Sequence, residues 1–458
     1  MGKLLAGAAK VCASPTQEIL DELRVAGAYT SYEKVYKDVY ARCVAFTDGN
    51  EKFFIFTSEN GMFPAQRRFR EKMQKEFGVH PDAVMLGNTH NHQGFVASDP
   101  EESPGGARRH VEGKLAEVNE KIIQTQHEFA LEAARQALKN AVPARMGYIS
   151  GTSYINASRD WPTPVGGLQN SDYGGYSDRE LVVLKVETEN GEPIASVVNF
   201  GVHSNMMYPH RFNGTFNYVC GDLGGEIMEF VENAHAGKEI CLWVEAAAGD
   251  QNPLVTGFQQ GVRALPDGTF EEIHTEISAE ATYTMMEHLA QVQGLEILKA
   301  EKTIRTYSTD FDLKYGRSVK SIPGKVNARE KFALIFSGEQ KGQKGRHQIT
   351  VDEFKAMEIE PADDVEFKLH LAVLNGMAFA GINTEPYSYL GRIVKDVLPY
   401  PKAMIFAIDA GHVGYIPDVR KSEYAGFGTL DSKAQSPWDT ERVFYEGFRD
   451  LAEEIEKE

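Results

Sequence analysis

Hydrophobic and polar positions along the chain form two kinds of pattern: short apolar runs typical of strands, and apolar residues at helical spacing. Short runs rich in apolar and β-branched residues predict strands at 4–11, 42–46, 53–57, 84–92, 180–186, 195–202, 240–244, 303–313 and 403–408. Apolar residues at helical spacing predict helices at 66–77, 115–137, 226–234, 270–298, 387–397 and 437–458. Because internal repeats and low-complexity linkers are absent from the sequence, this order predicts one α/β (α+β) domain over 1–458, with layered mixed β-sheets and flanking helices.

The most informative stretch lies between Val84 and Gly94. Its apolar start leads into Thr89-His90-Asn91-His92, and in a strand over 84–92 the side chains of His90 and His92 project to the same side. Neutral imidazole suits zinc, and a catalytic zinc takes about three protein ligands and leaves room for water. The motif predicts half of a metal site or, in the simpler interpretation, two hydrogen-bonded histidines at a strand end.

Further polar residues follow other predicted strands. His203 comes directly after the strand at 195–202, and Asp250 and Asn252 lie in the loop after the next strand. Function in layered α/β proteins collects in such strand-end loops. These residues are therefore candidates for the rest of the site.

Composition and charge narrow the classes of function. The 458 residues carry a net charge of −18, which argues against nucleic acid as a partner, because its phosphates would be repelled. The apolar runs fall short of the roughly 20 residues of a membrane span, so we expect a small-molecule substrate and no stable membrane insertion. The sequence leaves homo-oligomerisation open.

The cysteines and the first residues bear on the compartment. Cys12, Cys43, Cys220 and Cys241 are scattered without a CxxC pair, which predicts reduced thiols rather than a disulfide framework. The start, Met1 to Lys10, is a poor secretory signal and favours a cytoplasmic protein, although a signal peptide that had been removed would leave the same start.

Taken in order, several segments resemble the neutral (non-lysosomal) ceramidases, which are zinc-dependent amide hydrolases. The segments that carry the resemblance are Ala6 to Pro15, Thr89-His90-Asn91-His92-Gln93-Gly94, Asn156 to Arg159, Phe200 to His203 with Gly221-Asp222, Asn383-Thr384-Glu385, and Ser422-Glu423-Tyr424. The resemblance implies a neutral-ceramidase-like catalytic domain. It extends from residue 4 to about residue 428.

The resemblance also implies roles for individual residues. It assigns the zinc ligands to His90, His203, Glu385 and Tyr424. It makes His92 an active-site histidine near the nucleophile and Arg159 an arginine that holds or polarises the substrate. Two neutral imidazoles and one carboxylate leave a zinc ion enough charge to acidify a bound water.

The catalytic loop departs from the family pattern. Family ceramidases carry Gly-Asp-Val-Ser-Pro, in which the serine attacks the amide, whereas this chain has Gly249-Asp250-Gln251-Asn252-Pro253. A carboxamide is a poor nucleophile, so the serine mechanism does not carry over. Metal-activated water is one explanation, with His92 or Asp250 moving protons and Asn252 donating a hydrogen bond to the oxyanion. In the other explanation, the site binds metal and a ligand without this chemistry.

Length is a second departure, because the family's C-terminal β-sandwich has no counterpart here. Residues 319–364 are charged and are interpreted as a solvated insertion or a lid. These differences favour a polar substrate over ceramide, and we expect hydrolysis of an amide (N-acyl) bond, with glycosides or esters as the alternative.

Two further interpretations remain open at this point. A metal-dependent amidohydrolase on a TIM barrel also begins with His-x-His, and Asp409 could be its late aspartate, although hairpin signals such as Asp48-Gly49 oppose a barrel. A non-catalytic zinc- or ligand-binding relative would explain the missing serine.

Overall fold

A computed structural model describes residues 2–27, 32–94, 97, 99, 102, 112–163, 166–207, 217–328, 351–422 and 426–457. Its largest element is an eight-stranded mixed sheet. In spatial order its strands are β13 (Ile240–Glu245), β11 (Pro193–Phe200), β10 (Glu180–Thr188), β7 (Val142–Thr152), β2 (Leu5–Cys12), β4 (Tyr40–Thr47), β5 (Lys52–Ser58) and β6 (Val84–Asn88).

A second sheet has four strands. They are β18 (Leu313–Lys325), β19 (Pro361–Leu374), β20 (Met377–Ile382) and β22 (Lys402–Ala407), in that order. Shorter pairings complete the β structure: β1 (Gly2–Lys3) with β17 (Asp310–Phe311), β3 (Tyr32–Val35) with β12 (Asn217–Val219), β8 (Asn156–Thr163) with β9 (Gly166–Asp172) and β14 (Gln251–Pro253), β15 (Phe258–Ala264) with β16 (Phe270–Glu276), and β21 (Glu385–Pro386) with β23 (Tyr415–Ile416).

Helices flank the two sheets. They are Gln17–Val25, Gln66–Phe77, Gly113–Lys139, Asp222–Ala234, Ala279–Thr303, Val351–Lys355, Ser388–Val397, Phe427–Asp431, Pro437–Arg442 and Phe448–Ile455, with a 3-10 turn at Pro81–Ala83 and a π-helical turn at Val443–Gly447. None of the described helices is long and apolar enough to cross a membrane.

The two sheets pack face to face and share the main core. Alternate residues of each strand point to opposite faces, so every central strand supplies one set of side chains to the space between the sheets and one to the helices outside. Phe53 of β5 and Phe379 of β20 meet in that space, with ring centroids 5.3 Å apart. On the outer side, the long helix Gly113–Lys139 approaches β2 closely: a methyl group at Gly7 would lie 2.3 Å from the Ala137 carbonyl oxygen. Glycine is therefore required there by packing.

These observations confirm the predicted fold class of layered mixed sheets with flanking helices. The predicted helix at 66–77 has the observed bounds, and the hairpin around Asp48-Gly49 is present as β4 and β5. The barrel interpretation is wrong, because the described strands form open sheets rather than eight alternating β–α units.

Three local predictions need correction. Residues 270–276 form strand β16 instead of the start of a helix, since they pair with β15, and the helix begins only at Ala279. The predicted strand at 303–313 falls mostly outside strands, with β17 covering only two residues. The strand over 84–92 ends at Asn88, so the alternation argument does not reach either histidine of His-x-His.

The predicted insertion at 319–364 begins and ends inside regular structure. Residues 319–325 belong to β18 and 361–364 to β19, which pair antiparallel along most of their lengths. Of the intervening chain, 329–350 lies outside the described residues.

A half-buried carboxylate at the start of β10 links the two sheets. Glu180 contacts the ammonium groups of Lys395 at 3.3 Å and Lys402 at 3.2 Å, and it accepts a hydrogen bond from the Ser150 hydroxyl. Burial alone raises the pKa of Glu180, but these partners outweigh burial and lower that pKa to about 2.

We expect Glu180→Gln to lower the free energy of unfolding at pH 7 by about 1–2 kcal/mol, after allowance for partial solvent screening. Because the folded-state pKa lies below the unfolded value, the stabilisation is complete above pH 4.5 and is lost as the pH falls through 2. Urea unfolding at pH 7 and pH 3 measures this, with the exposed turn variant Glu51→Gln as control. An equal difference between wild type and Glu180→Gln at both pH values would contradict the assignment.

Candidate active site

The candidate site lies where the carboxyl ends of parallel strands from both sheets meet. β6 runs parallel to β5, β11 to β13, and β20 to β22. The residues that follow these strands are His90 and His92 after β6, His203 after β11, Asp250 and Asn252 after β13, Glu385 after β20, and His412 and Tyr415 after β22. One edge of the molecule therefore gathers side chains from distant parts of the sequence.

The His90 imidazole is held in a defined orientation. Its Nδ1 lies 2.5 Å from the carbonyl oxygen of Gly61, which can only accept, so Nδ1 carries the hydrogen. The Nε2 lone pair then faces the Glu385 carboxylate, at 3.2 Å from Oε2. The backbone of His90 has φ of +50°, a left-handed conformation that costs a non-glycine residue about 1–3 kcal/mol and is typical of functional sites.

His203 is oriented in the same way from the other side. Its Nδ1 donates to the Ala248 carbonyl oxygen at 2.9 Å, and its Nε2 lies 3.2 Å from the same Glu385 Oε2. A hydrogen bond at Nδ1 fixes the tautomer of a metal-binding histidine and leaves Nε2 as the ligand atom. Both imidazoles therefore present a lone pair to one point.

The carboxylate of Glu385 lies where the two imidazole lone pairs converge. Glu385 is held there by the short parallel pairing of β21 with β23, in which it lies opposite Tyr415. Its Oε1 accepts from His412 Nε2 at 2.8 Å, which leaves Oε2 directed at the two other imidazoles. Oε2 is buried and has no hydrogen-bond partner among the described residues. A buried carboxylate oxygen facing two lone pairs requires a positive charge between them.

The pKa shifts of these residues also indicate that a positive charge is needed beside the Glu385 carboxylate. Burial lowers the pKa of His90, but the carboxylates of Glu245 and Glu385 more than reverse this and raise it to about 9. Burial, assisted by Arg159, lowers the pKa of His203 to about 3, and the pKa of Glu385 lies well below its usual value because His90 and the other imidazoles outweigh the effect of burial. Either a proton on His90 or a divalent cation can supply the charge, and the donor set of two imidazoles and one carboxylate fits a metal ion.

His92 lies beside the other two imidazoles. Its ring centroid is 5.4 Å from that of His90 and 5.8 Å from that of His203, and ligand atoms of all three histidines lie within 4.8 Å of one another. Burial and the neighbouring His90 and His203 hold the pKa of His92 well below its usual value. The structure thus brings His90 and His92 together, but through the turn that follows β6 rather than through strand alternation.

Arg159 and Asn252 are linked to each other and to the loop after β13. Arg159 is buried and donates from Nε and Nη2 to the Gly249 carbonyl oxygen, at 3.0 and 2.8 Å. Asn252 Oδ1 lies 3.5 Å from Arg159 Nη1 and 3.3 Å from Asn205 Nδ2. Because Oδ1 receives both donors, Nδ2 of Asn252 is the atom left without a partner among the described residues.

Asp250 is placed differently from the other predicted residues. Its Oδ1 accepts from the backbone N–H of Ser388 at 2.7 Å, and its Oδ2 accepts from the Ser388 hydroxyl at 3.0 Å. These bonds fasten the loop after β13 to the first turn of the helix Ser388–Val397. Both carboxylate oxygens are engaged at this contact.

Sequence reasoning left three residues of the site without a role. Glu245 ends β13 with its Oε1 3.4 Å from His203 Nδ1, and burial raises its pKa to about 8. His412 orients Glu385, and the Tyr415 hydroxyl lies 3.5 Å from His203 Nε2. The strand-end position of each was a usable signal. Tyr424, the fourth predicted ligand, lies outside the described residues.

Asp409, the aspartate of the barrel interpretation, belongs to a separate buried network. Its Oδ2 lies 2.6 Å from His370 Nδ1, and its Oδ1 pairs with Arg70 and accepts from the Leu86 backbone N–H at 3.2 Å. The network joins β6 to β19 and to the end of β22.

Comparison with known proteins agrees with this architecture. Two solved structures cover nearly the whole chain: a ceramidase complexed with C2 (TM-score 0.69, 13% identity, 100% of this chain and 76% of that one), and neutral ceramidase from Pseudomonas aeruginosa (TM-score 0.68, 13% identity, 99% and 74%). The chain has a neutral-ceramidase-like fold. No protein-family model matches it.

Two curated sequences support the same relationship. Neutral ceramidases A and B of Dictyostelium discoideum are each 25% identical in sequence to this chain over 238 residues. The matched region covers 47% of this chain and 31%, about a third, of each relative.

Proposed function

We propose that the protein is a zinc-dependent hydrolase that cleaves an amide (N-acyl) bond in a polar small-molecule substrate. The observation that carries this proposal is the convergence of His90 Nε2 and His203 Nε2 on one Glu385 oxygen, each at 3.2 Å. The names of the similar proteins, all ceramidases, point to an N-acyl amide as the bond.

His90, His203 and Glu385 would hold the zinc, with Tyr424 as the fourth ligand predicted from the family. A zinc ion there would supply Lewis-acid chemistry, acidifying a water and polarising a carbonyl group. The protein's part is to aim the donors: the carbonyl oxygens of Gly61 and Ala248 fix the two imidazoles, and His412 fixes the carboxylate.

The neighbouring residues supply proton transfer and charge. In this proposal His92 takes the proton of the attacking water, and because burial lowers the pKa of His92, the protonated ring is a strong acid that readily returns the proton to the leaving amine. Asp250 is less suited to this role, since Ser388 occupies both of its oxygens. Nδ2 of Asn252, which has no partner within the described part of the chain, is suited to donate to the oxyanion, and Arg159 adds positive charge beside it.

Turnover of a substrate panel, with and without a chelator, tests the proposal. We expect the purified protein to cleave at least one N-acyl amide in a panel of amides, esters and glycosides, to lose this activity on chelation, and to regain it with added zinc. Turnover that is indifferent to the chelator would overturn the metal mechanism. A zinc-loaded protein that is silent on the whole panel would support the ligand-binding alternative.

A further inference from the structure

A cavity of about 230 Å³ lies away from His90, His203 and Glu385. It forms where the end of β18 runs beside residues 433–435, held there by hydrogen bonds from Lys325 N to Lys433 O (2.8 Å) and from Gln435 N to Pro323 O (3.0 Å). Most of its wall is apolar: Val326, Phe354, Met357, Ile359, Pro417 and Ala434. Its volume exceeds the cavity of about 150 Å³ that accommodates benzene in another protein.

Two polar groups at this wall lack partners. Burial lowers the pKa of the Lys325 ammonium, and among the described residues no carboxylate or hydrogen-bond acceptor contacts it. Ser432 is 3% exposed, and its hydroxyl makes no hydrogen bond within the described part of the chain. By contrast, Lys355 and Glu358, which also line the cavity, each have another polar interaction. Lys325 and Ser432 both line the cavity, so a ligand that displaces water there can pair with both groups.

The cavity is accessible from solvent. Ile359, which forms part of its wall, is 56% exposed, so an apolar side chain lies at the mouth. Pro417 of its wall lies two residues beyond Tyr415 of the candidate active site, while none of His90, His203 and Glu385 lines the cavity. It is therefore a separate site that shares one segment of chain with the active site.

We infer that this cavity binds a small monocarboxylate with an apolar chain or ring. The carboxylate would pair with Lys325 and accept from Ser432, and the apolar body would cover the surrounding side chains. An alkyl ammonium ion would be repelled by Lys325, and a neutral alcohol would leave its charge unpaired. A phosphate has no apolar body to fill the wall. The inference does not depend on the proposed hydrolase activity.

Calorimetric titration of the 458-residue protein with octanoate tests this inference. We expect saturable binding that is at least about tenfold weaker in Lys325→Met and largely retained in Lys325→Arg, because a charge-assisted hydrogen bond is lost only in the first variant. Lys320→Met is the matched control, since Lys320 lies on the same strand but is paired with Asp450 at 3.8 Å. Octanol and octylamine, titrated in parallel, should bind at least tenfold more weakly than octanoate.

The octanoate titration is repeated after the protein has been treated with a chelator. Octanoate binding should be unchanged, so this test is independent of the proposed zinc site. Equal octanoate affinity in wild type and Lys325→Met would overturn the inference, as would equal binding of octanoate and octylamine. Thermal melting of each variant shows whether it is folded. Should Lys325→Met fail to fold, Ser432→Ala replaces it, and a severalfold loss of octanoate affinity is then expected.

Discussion

Replacing Glu385 with glutamine is expected to lower zinc affinity by more than about 100-fold and to abolish turnover with it. The substitution keeps the size of the side chain but removes the negative charge on which His90 Nε2 and His203 Nε2 converge. Loss of residues that only orient metal ligands costs 10- to 100-fold, so the loss of a ligand should exceed that range. Zinc content after dialysis against a competing chelator measures the effect.

The matched control is Glu366→Gln, which removes an exposed carboxylate from β19 in the four-stranded sheet. It should retain wild-type zinc content and turnover. If Glu385→Gln retained full zinc at the same chelator concentration, the ligand assignment would be wrong, whatever the activity.

Replacing Asn252 with alanine should leave zinc binding unchanged and reduce kcat by about 100- to 1,000-fold. This is the usual effect of removing one hydrogen-bond donor from an oxyanion site. The side chain is not part of the metal donor set, and its Oδ1 is already engaged by Arg159 and Asn205, so the lost group is the Nδ2 donor. Steady-state kinetics with the best substrate of the panel, together with zinc analysis, would show the separation.

Asn205→Ala is the control for this second variant, because it removes a partner of Asn252 Oδ1 but leaves Nδ2 in place. We expect a loss of less than tenfold. Equal losses in the two variants would indicate that Asn252 acts by shaping the loop and not by donating to the reacting group.

The parts of the fold that could be predicted are those in which local pattern and tertiary pairing agree. The hairpin at Asp48-Gly49 and the helix Gln66–Phe77 have both a strong local signal and an apolar face that packs in the core. Residues 270–276 show the opposite case. Their charges suggested a helix, but pairing with Phe258–Ala264 across a hairpin determines the structure, and that partner is not visible in the local pattern.

The candidate site likewise contains residues that the sequence indicates and residues that only the structure shows. His90 and His203 could be found because each follows an apolar strand, and Glu385 through the family resemblance. The contacts of Glu245 and Tyr415 with His203 arise from the pairing of β11 with β13 and from the loop after β22, and a strand-end position alone does not predict either contact. Three-dimensional placement was therefore needed to complete the group.

The donors come from both layers: His90 and His203 follow strands of the larger sheet, and Glu385 follows a strand of the smaller one. A cation held by all three would connect the two sheets, so its binding free energy would also stabilise the packing of one sheet on the other. Metal supply would then govern how many intact molecules a cell holds as well as how fast each one works. Scarcity of the ion would appear first as a shorter lifetime of the protein.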